Sequence, residues 1–84
     1  MTNEQIEKYI TNQKIKDNSV NIYFKDRNMV TGVFIQDGDY SELKSKNLWR
    51  IVSGINLEEY RRTRNSGLSR IFNGIAFTRL SEVQ

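Results

Sequence analysis

The sequence predicts a mainly β protein, a small antiparallel barrel of five strands that follows an N-terminal α-helix. Two observations lead to this fold class. The apolar residues change from helical spacing to alternation near residue 19, and polar or glycine-containing turns then divide the chain into short apolar runs. A chain of 84 residues suits a single domain, here over 1–84. A sheet closed on itself is the natural way to bury one face of every strand.

The first element is a short helix over about residues 3–13. Its apolar residues recur at positions i, i+3 and i+4 and form one narrow face, made by Ile6, Tyr9 and Ile10. Thr2 and Gln5 have the spacing of a capping box, and Asn3 is an equally good residue to begin the helix.

Alternation then predicts the barrel strands over about residues 19–80. The first two strands are expected over 20–24 and 29–36. Gly32 lies in the middle of the second strand, where glycine marks a sharp bend or the close approach of another backbone. The polar residues 37–39 end this strand in a tight turn, and they lack the further ligands that a calcium loop requires.

A third strand is predicted over 47–52, whereas residues 41–46 are polar and ambiguous. An insertion follows over about 54–67. Its central part, 57–64, is typical of a short helix because acidic residues precede basic ones along it, in the order that the helix dipole favours. A β-hairpin or a plain loop is the alternative for this insertion.

Two final strands are predicted over 68–72 and 75–80. The pair Asn73-Gly74 separates them and is typical of a two-residue hairpin turn, in which both residues adopt positive φ. Trp49 is expected in the core or at an interface, because apolar residues surround it in the third strand.

Composition limits the classes of function. Histidine and cysteine are both absent, which removes the usual general base and the thiolate nucleophile. We therefore predict a non-catalytic protein without a metal or cofactor, and an enzyme built on carboxylates or lysine is the alternative. No secretory signal is visible, and no apolar run approaches the roughly 18 residues of a membrane helix. The expected location is the cytoplasm, with no membrane partner.

Basic charge is concentrated in the later part of the chain. Residues 44–70 carry seven Lys and Arg against two Asp and Glu, although the net charge of the whole chain is only +3. The densest group is Arg61, Arg62, Arg64 and Arg70. Planar guanidinium groups bind phosphate well, so these four residues are candidate contacts for a polyanion. A solvated surface without a ligand is the alternative.

Two motifs occur in a characteristic order. The first is an alternating strand, a turn and a strand with a central glycine: Val20-x-Ile22-x-Phe24, Asp26-Arg27-Asn28 and Gly32-x-Phe34. The second is an apolar strand, a residue followed by glycine, and another apolar strand: Ile71-Phe72-Asn73-Gly74-Ile75, continuing to Phe77 and Leu80. With the short N-terminal helix, the chain resembles the Sm-like family, which includes the Sm and Lsm proteins and bacterial Hfq. The resemblance covers roughly residues 4–36 and 68–80.

The resemblance implies a strongly bent five-stranded barrel and a homo-oligomeric ring that binds RNA. RNA bases would enter near two turns, which by position hold Asp39 and Tyr40 and then Asn73 and Gly74. The family often has Arg or Lys where this chain has Asn73, which favours the alternative function, a structural or protein-interaction module without nucleic acid. The alternative structural roles are that Tyr40 packs on its own barrel and that Asn73-Gly74 is simply a turn.

Ring assembly is expected through the edges of the last two strands. A small sheet leaves unpaired backbone groups along its edge strands, and pairing between neighbouring copies would satisfy them. The interface residues predicted for this pairing are Leu68, Ile71, Ile75 and Phe77.

Overall fold

The elements follow the predicted order in the computed structural model, which describes residues 1–12 and 19–83. The helices are α1 (Asn3–Asn12), α2 (Tyr40–Ser45) and α3 (Gly54–Thr63). The strands are β1 (Val20–Phe24), β2 (Val30–Phe34), β3 (Leu48–Ser53), β4 (Arg70–Asn73) and β5 (Phe77–Glu82). Short 3₁₀ turns over Ser66–Leu68 and Gly74–Ala76 lie before β4 and β5. Within the described ranges, no helix combines the length and the apolar character needed to cross a membrane.

All five strands form one antiparallel sheet in the order β4-β3-β2-β1-β5. The predicted antiparallel sheet behind an N-terminal helix is confirmed. The predicted closure into a barrel is not found, because β4 and β5 lie at opposite edges and do not pair with each other. The reason lies between these strands. The chain makes a 3₁₀ turn over Gly74–Ala76 where a two-residue hairpin was expected.

The predicted backbone of Asn73-Gly74 is therefore wrong. Asn73 has φ −88° and ψ 119°, and none of the glycines has a positive φ. A hairpin of the expected type requires φ above zero at both central residues. Asn73-Gly74 does separate β4 from β5, as the sequence indicates, but the two strands do not pair with each other.

The main core lies between α1 and the inner face of the sheet. Its fully buried members come from every layer and are Ile6, Ile10, Val20, Ile22, Phe34, Trp49, Ile51, Phe77 and Leu80. Trp49 is 2% exposed, which confirms the prediction of a core position for this side chain. Phe24 and Phe72 pack against this cluster and contact each other, with ring centroids 5.9 Å apart. Aromatic packing thus fills the region near the unpaired edges.

The start of α1 has the predicted capping box. The backbone N–H of Thr2 donates to Gln5 Oε1 at 3.0 Å, and the backbone N–H of Gln5 donates to Thr2 Oγ1 at 3.2 Å. The end of the predicted helix at residue 13 lies outside the described residues. Helix α2 was not predicted, and it forms directly after the turn at 37–39, where the N–H of Tyr40 donates to the Asp37 carbonyl at 3.0 Å.

Gly32 allows a close approach between neighbouring strands, which confirms one of the two roles predicted for it. A Cβ at this position would lie 2.6 Å from the carbonyl oxygen of Val52 and 2.8 Å from the Ile51 side chain. Any larger residue would push β2 away from β3. The sequence signal for this contact was a glycine inside an otherwise regular strand.

The insertion contains a helix, α3, as predicted. This helix covers part of the outer face of the sheet. It begins at Gly54, earlier than predicted, and ends at Arg64, whose φ of 57° is left-handed. A second buried cluster lies under it, formed by Val33, Ile35, Val52 and Tyr60 with Leu57 and Leu68 packed against them. The position of α3 is therefore fixed by its own small core.

Candidate nucleic-acid interface

The first predicted site residue, Asp39, is held by an arginine of β3. Arg50 Nη2 donates to Asp39 Oδ2 at 2.7 Å, and Arg50 Nε lies 3.2 Å from both carboxylate oxygens. Arg50 Nη1 also donates to Ser69 Oγ at 3.3 Å. Hydrogen bonding from Arg50 lowers the pKa of the Asp39 carboxyl below its ordinary value. An anion fixed in this way is poorly suited to contact a phosphate backbone.

The Tyr40 side chain packs against its own sheet, which is the alternative to an RNA contact that was stated for this residue. Its ring meets Trp49 in an edge-on contact with centroids 6.0 Å apart, and it lies against the main core. Its hydroxyl is buried and has no hydrogen-bond partner among the described residues. Burial raises the pKa of this phenol above its ordinary value. The face of the ring is thus used within the fold.

Gly74 is buried beneath the side chain of Asn47. A Cβ on Gly74 would overlap Asn47 Oδ1 and would lie 2.5 Å from Ile6 Cδ1. Asn47, at φ 58°, organises this region: its carbonyl accepts from the Gly74 N–H at 2.8 Å, and its Oδ1 accepts from Trp49 Nε1 at 2.8 Å. Glycine is required here for close packing, and a buried Cα leaves no room for a base.

Asn73 is exposed, but its side chain shapes the turn. Asn73 Oδ1 accepts from the backbone N–H of Ile75 at 2.9 Å. This is the local bond by which Asn and Ser side chains initiate turns. The amide nitrogen of Asn73 has no hydrogen-bond partner among the described residues, so this exposed donor can bond to a ligand.

The structure keeps the predicted arginine group at the surface. Arg61, Arg62 and Arg64 are exposed on the last turn of α3 and its cap, and Arg70 is exposed at the start of β4. Arg62 lies 3.9 Å from Glu59, and both side chains are more than half exposed. A surface pair of this kind contributes about 0–1 kcal/mol. Arg64 Cζ lies 5.7 Å from the centroid of the Tyr60 ring.

A cleft adjoins these arginines, between the end of β2 and α3. Its volume is about 640 Å³, and its lining consists of Val33, Phe34, Ile35, Gln36, Leu57, Tyr60, Arg61 and Arg64. No local pattern in the sequence indicates this cleft, because β2 and α3 are separated by β3 in the chain. The arginine cluster was the only feature that pointed to this side of the molecule.

The four predicted interface residues fall into two pairs. Ile71 and Ile75 are 48% and 62% exposed. Leu68 packs against the second cluster, and Phe77 is 1% exposed in the main core. The side chains of Leu68 and Phe77 pack within the chain itself, whereas those of Ile71 and Ile75 face solvent.

Two contacts between arginine and aromatic rings were not anticipated. Arg79 Cζ lies 4.2 Å from the centroid of the Tyr23 ring, and these residues pair across β1 and β5. Arg27 Cζ lies 5.0 Å from the Phe24 ring centroid. Both contacts depend on strand register and on loop placement, for which the sequence contains no local signal.

Metal binding finds no support in the described part of the chain, where no three Asp, Glu, His or Cys side chains are grouped to hold an ion. Comparison of the chain with protein-family models, with curated proteins and with solved structures finds no match.

Proposed function

We propose that this chain is a non-catalytic RNA-binding module of Sm-like type whose copies assemble into a ring through the edges of the sheet. The observation that carries RNA binding is the exposed arginine group at the end of α3. Three guanidinium groups within four residues create a local positive field that attracts phosphates. Arginine binds phosphate through two parallel hydrogen bonds, which a lysine cannot form.

The proposal locates the main contact at α3 rather than at the two turns. Asp39 is paired with Arg50, Tyr40 packs on Trp49, and Gly74 is buried. Affinity then depends mainly on phosphate contacts, which are independent of sequence and decrease steeply with salt.

The test is a titration of single-stranded RNA at several salt concentrations. The variant R61Q/R62Q/R64Q should weaken binding and flatten the salt dependence by up to about one unit of slope per lost phosphate contact. The matched control K8Q/K25Q/K46Q removes three exposed charges elsewhere and should bind nearly as the unaltered protein does. Equal loss in both variants would mean that only net charge matters. No binding by the unaltered protein at low salt would exclude the RNA function.

The second candidate function, a protein-interaction module, is favoured by the free edge of β4. The Ile35 N–H donates to the Arg50 carbonyl at 3.0 Å, so Arg50 directs its backbone groups toward β2. Ile71 lies opposite Arg50 in the register. In a regular antiparallel ladder its N–H and carbonyl then point away from β3, toward the open edge. An exposed isoleucine beside unpaired backbone groups is typical of a strand that pairs with another chain.

Edge pairing is tested by the variant I71K, because lysine on an edge strand opposes association between sheets. Light scattering should show an oligomer for the unaltered protein and a smaller species for I71K. The control I55K makes the same replacement at a site that is 91% exposed on α3, and it should leave the assembly intact. A monomer for the unaltered protein at tens of micromolar would exclude the ring. Assembly without RNA binding would favour the protein-interaction module.

A further inference from the structure

The cleft between β2 and α3 has the size and the lining of a ligand site. Its volume of about 640 Å³ lies within the range of pockets that hold small molecules. None of its eight lining residues is acidic, and two of them are arginines. The cleft therefore combines an apolar surface with positive charge, a pairing suited to a ligand that has both an apolar part and an anionic part.

The cleft has one wall at the end of β2 and another on α3. Val33 and Ile35, both buried, belong to the second core cluster, together with Tyr60. Gln36 is exposed at the end of β2 and provides an amide with both donors and an acceptor. Arg61 and Arg64 are one helical turn apart on the opposite wall.

Arg64 ends α3 and lies beside the Tyr60 ring. Its backbone N–H donates to the Tyr60 carbonyl at 2.6 Å, and its left-handed conformation ends α3. Its guanidinium lies 5.7 Å from the Tyr60 ring centroid, in a cation–π contact. Such a guanidinium plane loses little conformational freedom when it binds an anion or when a flat ring stacks on it.

From these features we infer that the cleft is a nucleotide subsite, which takes one base of a single-stranded RNA and its adjacent phosphate. The base lies between Ile35, just after β2, and Leu57 on α3, where Gln36 can bond to its edge. The phosphate meets the guanidinium groups of Arg61 and Arg64. This inference rests on the proposed RNA function, and it adds that a base, and not only the backbone, is held.

The direct test follows backbone amide signals by NMR during titration with uridine monophosphate, adenosine monophosphate, uridine and inorganic phosphate. A mononucleotide should shift the signals of Gln36, Leu57 and Arg64 in a saturable way, and it should bind several-fold more tightly than uridine or phosphate alone. Equal responses to nucleotide and phosphate, or shifts elsewhere on the surface, would overturn the subsite.

Two variants separate the subsite from general RNA binding. Leu57 lines the cleft and is half-buried, so the larger side chain of L57W should fill the space. RNA binding should weaken by about five- to a hundredfold, the range of one lost base-stacking contact. The dependence of RNA affinity on salt should not change. Q36A, at an exposed site, should weaken mononucleotide binding several-fold without a risk to folding. The control K25Q, at an exposed site outside the cleft lining, should leave mononucleotide binding unchanged.

The outcomes distinguish the two proposals. If RNA binds with a steep salt dependence while L57W, shown folded by its NMR spectrum, and Q36A both behave as the unaltered protein, the subsite is excluded and the RNA-binding function remains. If neither RNA nor a mononucleotide binds at low salt, both are excluded.

Discussion

The turn at Asn73-Gly74 and the arginine end of α3 were both indicated by the sequence as RNA contacts, and the structure treats them differently. Gly74 is buried under Asn47, and Asn73 Oδ1 accepts a hydrogen bond from the Ile75 N–H within the turn. Arg61, Arg62 and Arg64 are exposed, and the contact of Arg62 with Glu59 is a weak surface pair. Residues with strong internal partners explain the fold, whereas an exposed group of like charges is the better candidate for a ligand.

The largest effect that tests this difference is expected from Gly74→Ala. The new methyl would overlap Asn47 Oδ1, which accepts from Trp49 Nε1, and it would press on Ile6. The added methyl overpacks this region and disturbs the hydrogen bond between Trp49 and Asn47. The free energy of unfolding should therefore decrease by about 3 kcal/mol. Urea denaturation measures the change.

Gly38→Ala is the matched control for that variant. No atom lies within 4 Å of a Cβ at Gly38, and its φ is not positive. The same substitution should there be neutral or stabilise by up to about 1 kcal/mol, through the unfolded chain. If the two alanine variants were equally stable, Gly74 would not be closely packed, and the turn would be free to accept a base.

A smaller effect is expected from Asp39→Asn, and it should depend on pH. Hydrogen bonding to Arg50 lowers the pKa of Asp39 in the folded state. The charged form therefore stabilises the fold at pH above the ordinary carboxyl pKa, and this contribution is lost as the pH decreases through the lowered value. The melting temperature of the unaltered protein should decrease more between pH 7 and pH 3 than that of the variant.

Asp37→Asn is the control for this pH dependence. Asp37 lies in the same turn and affects Arg50 through charge alone, as the weakest of the causes that raise the pKa of Arg50. Its replacement should leave most of the pH dependence in place. An equal change in both variants would indicate a general charge effect and not a specific contact between Asp39 and Arg50.

These variants also show what the sequence could predict. Alternation located β1 and β2, the Thr2 and Gln5 spacing located the start of α1, and Gly32 indicated a close approach, because each signal lies in neighbouring residues. The conformation of Asn73-Gly74 was predicted wrongly, since it depends on the contact of Gly74 with Asn47, which lies 27 residues earlier in the chain.

The candidate site was predictable only in part, for the same reason. The arginine group is visible as a run of charge, and the exposed positions of Arg61, Arg62 and Arg64 agree with it. Helix α2 and the cleft beside α3 depend on how distant segments pack together. A local sequence pattern shows where charge is concentrated, but it does not show which distant residues the fold brings together.

The smallest effect on stability is expected from Asn73→Ala. Asn73 Oδ1 accepts from the N–H two residues later at 2.9 Å, and Asn65 makes the same bond to the Gly67 N–H at 2.9 Å before the other 3₁₀ turn. Both residues are exposed. Loss of either bond should lower the free energy of unfolding by a similar amount, about 0.5–1 kcal/mol.

Asn65→Ala is therefore the matched control, because it removes an equivalent bond at a different turn. If Asn73 acts only in the turn, both variants should bind RNA as the unaltered protein does. Asn73→Ser should restore the stability lost in Asn73→Ala, because the serine hydroxyl can accept the same hydrogen bond. If Asn73→Ala abolishes RNA binding while Asn65→Ala and R61Q/R62Q/R64Q retain it, the RNA site lies at the turn and the location proposed on α3 is wrong.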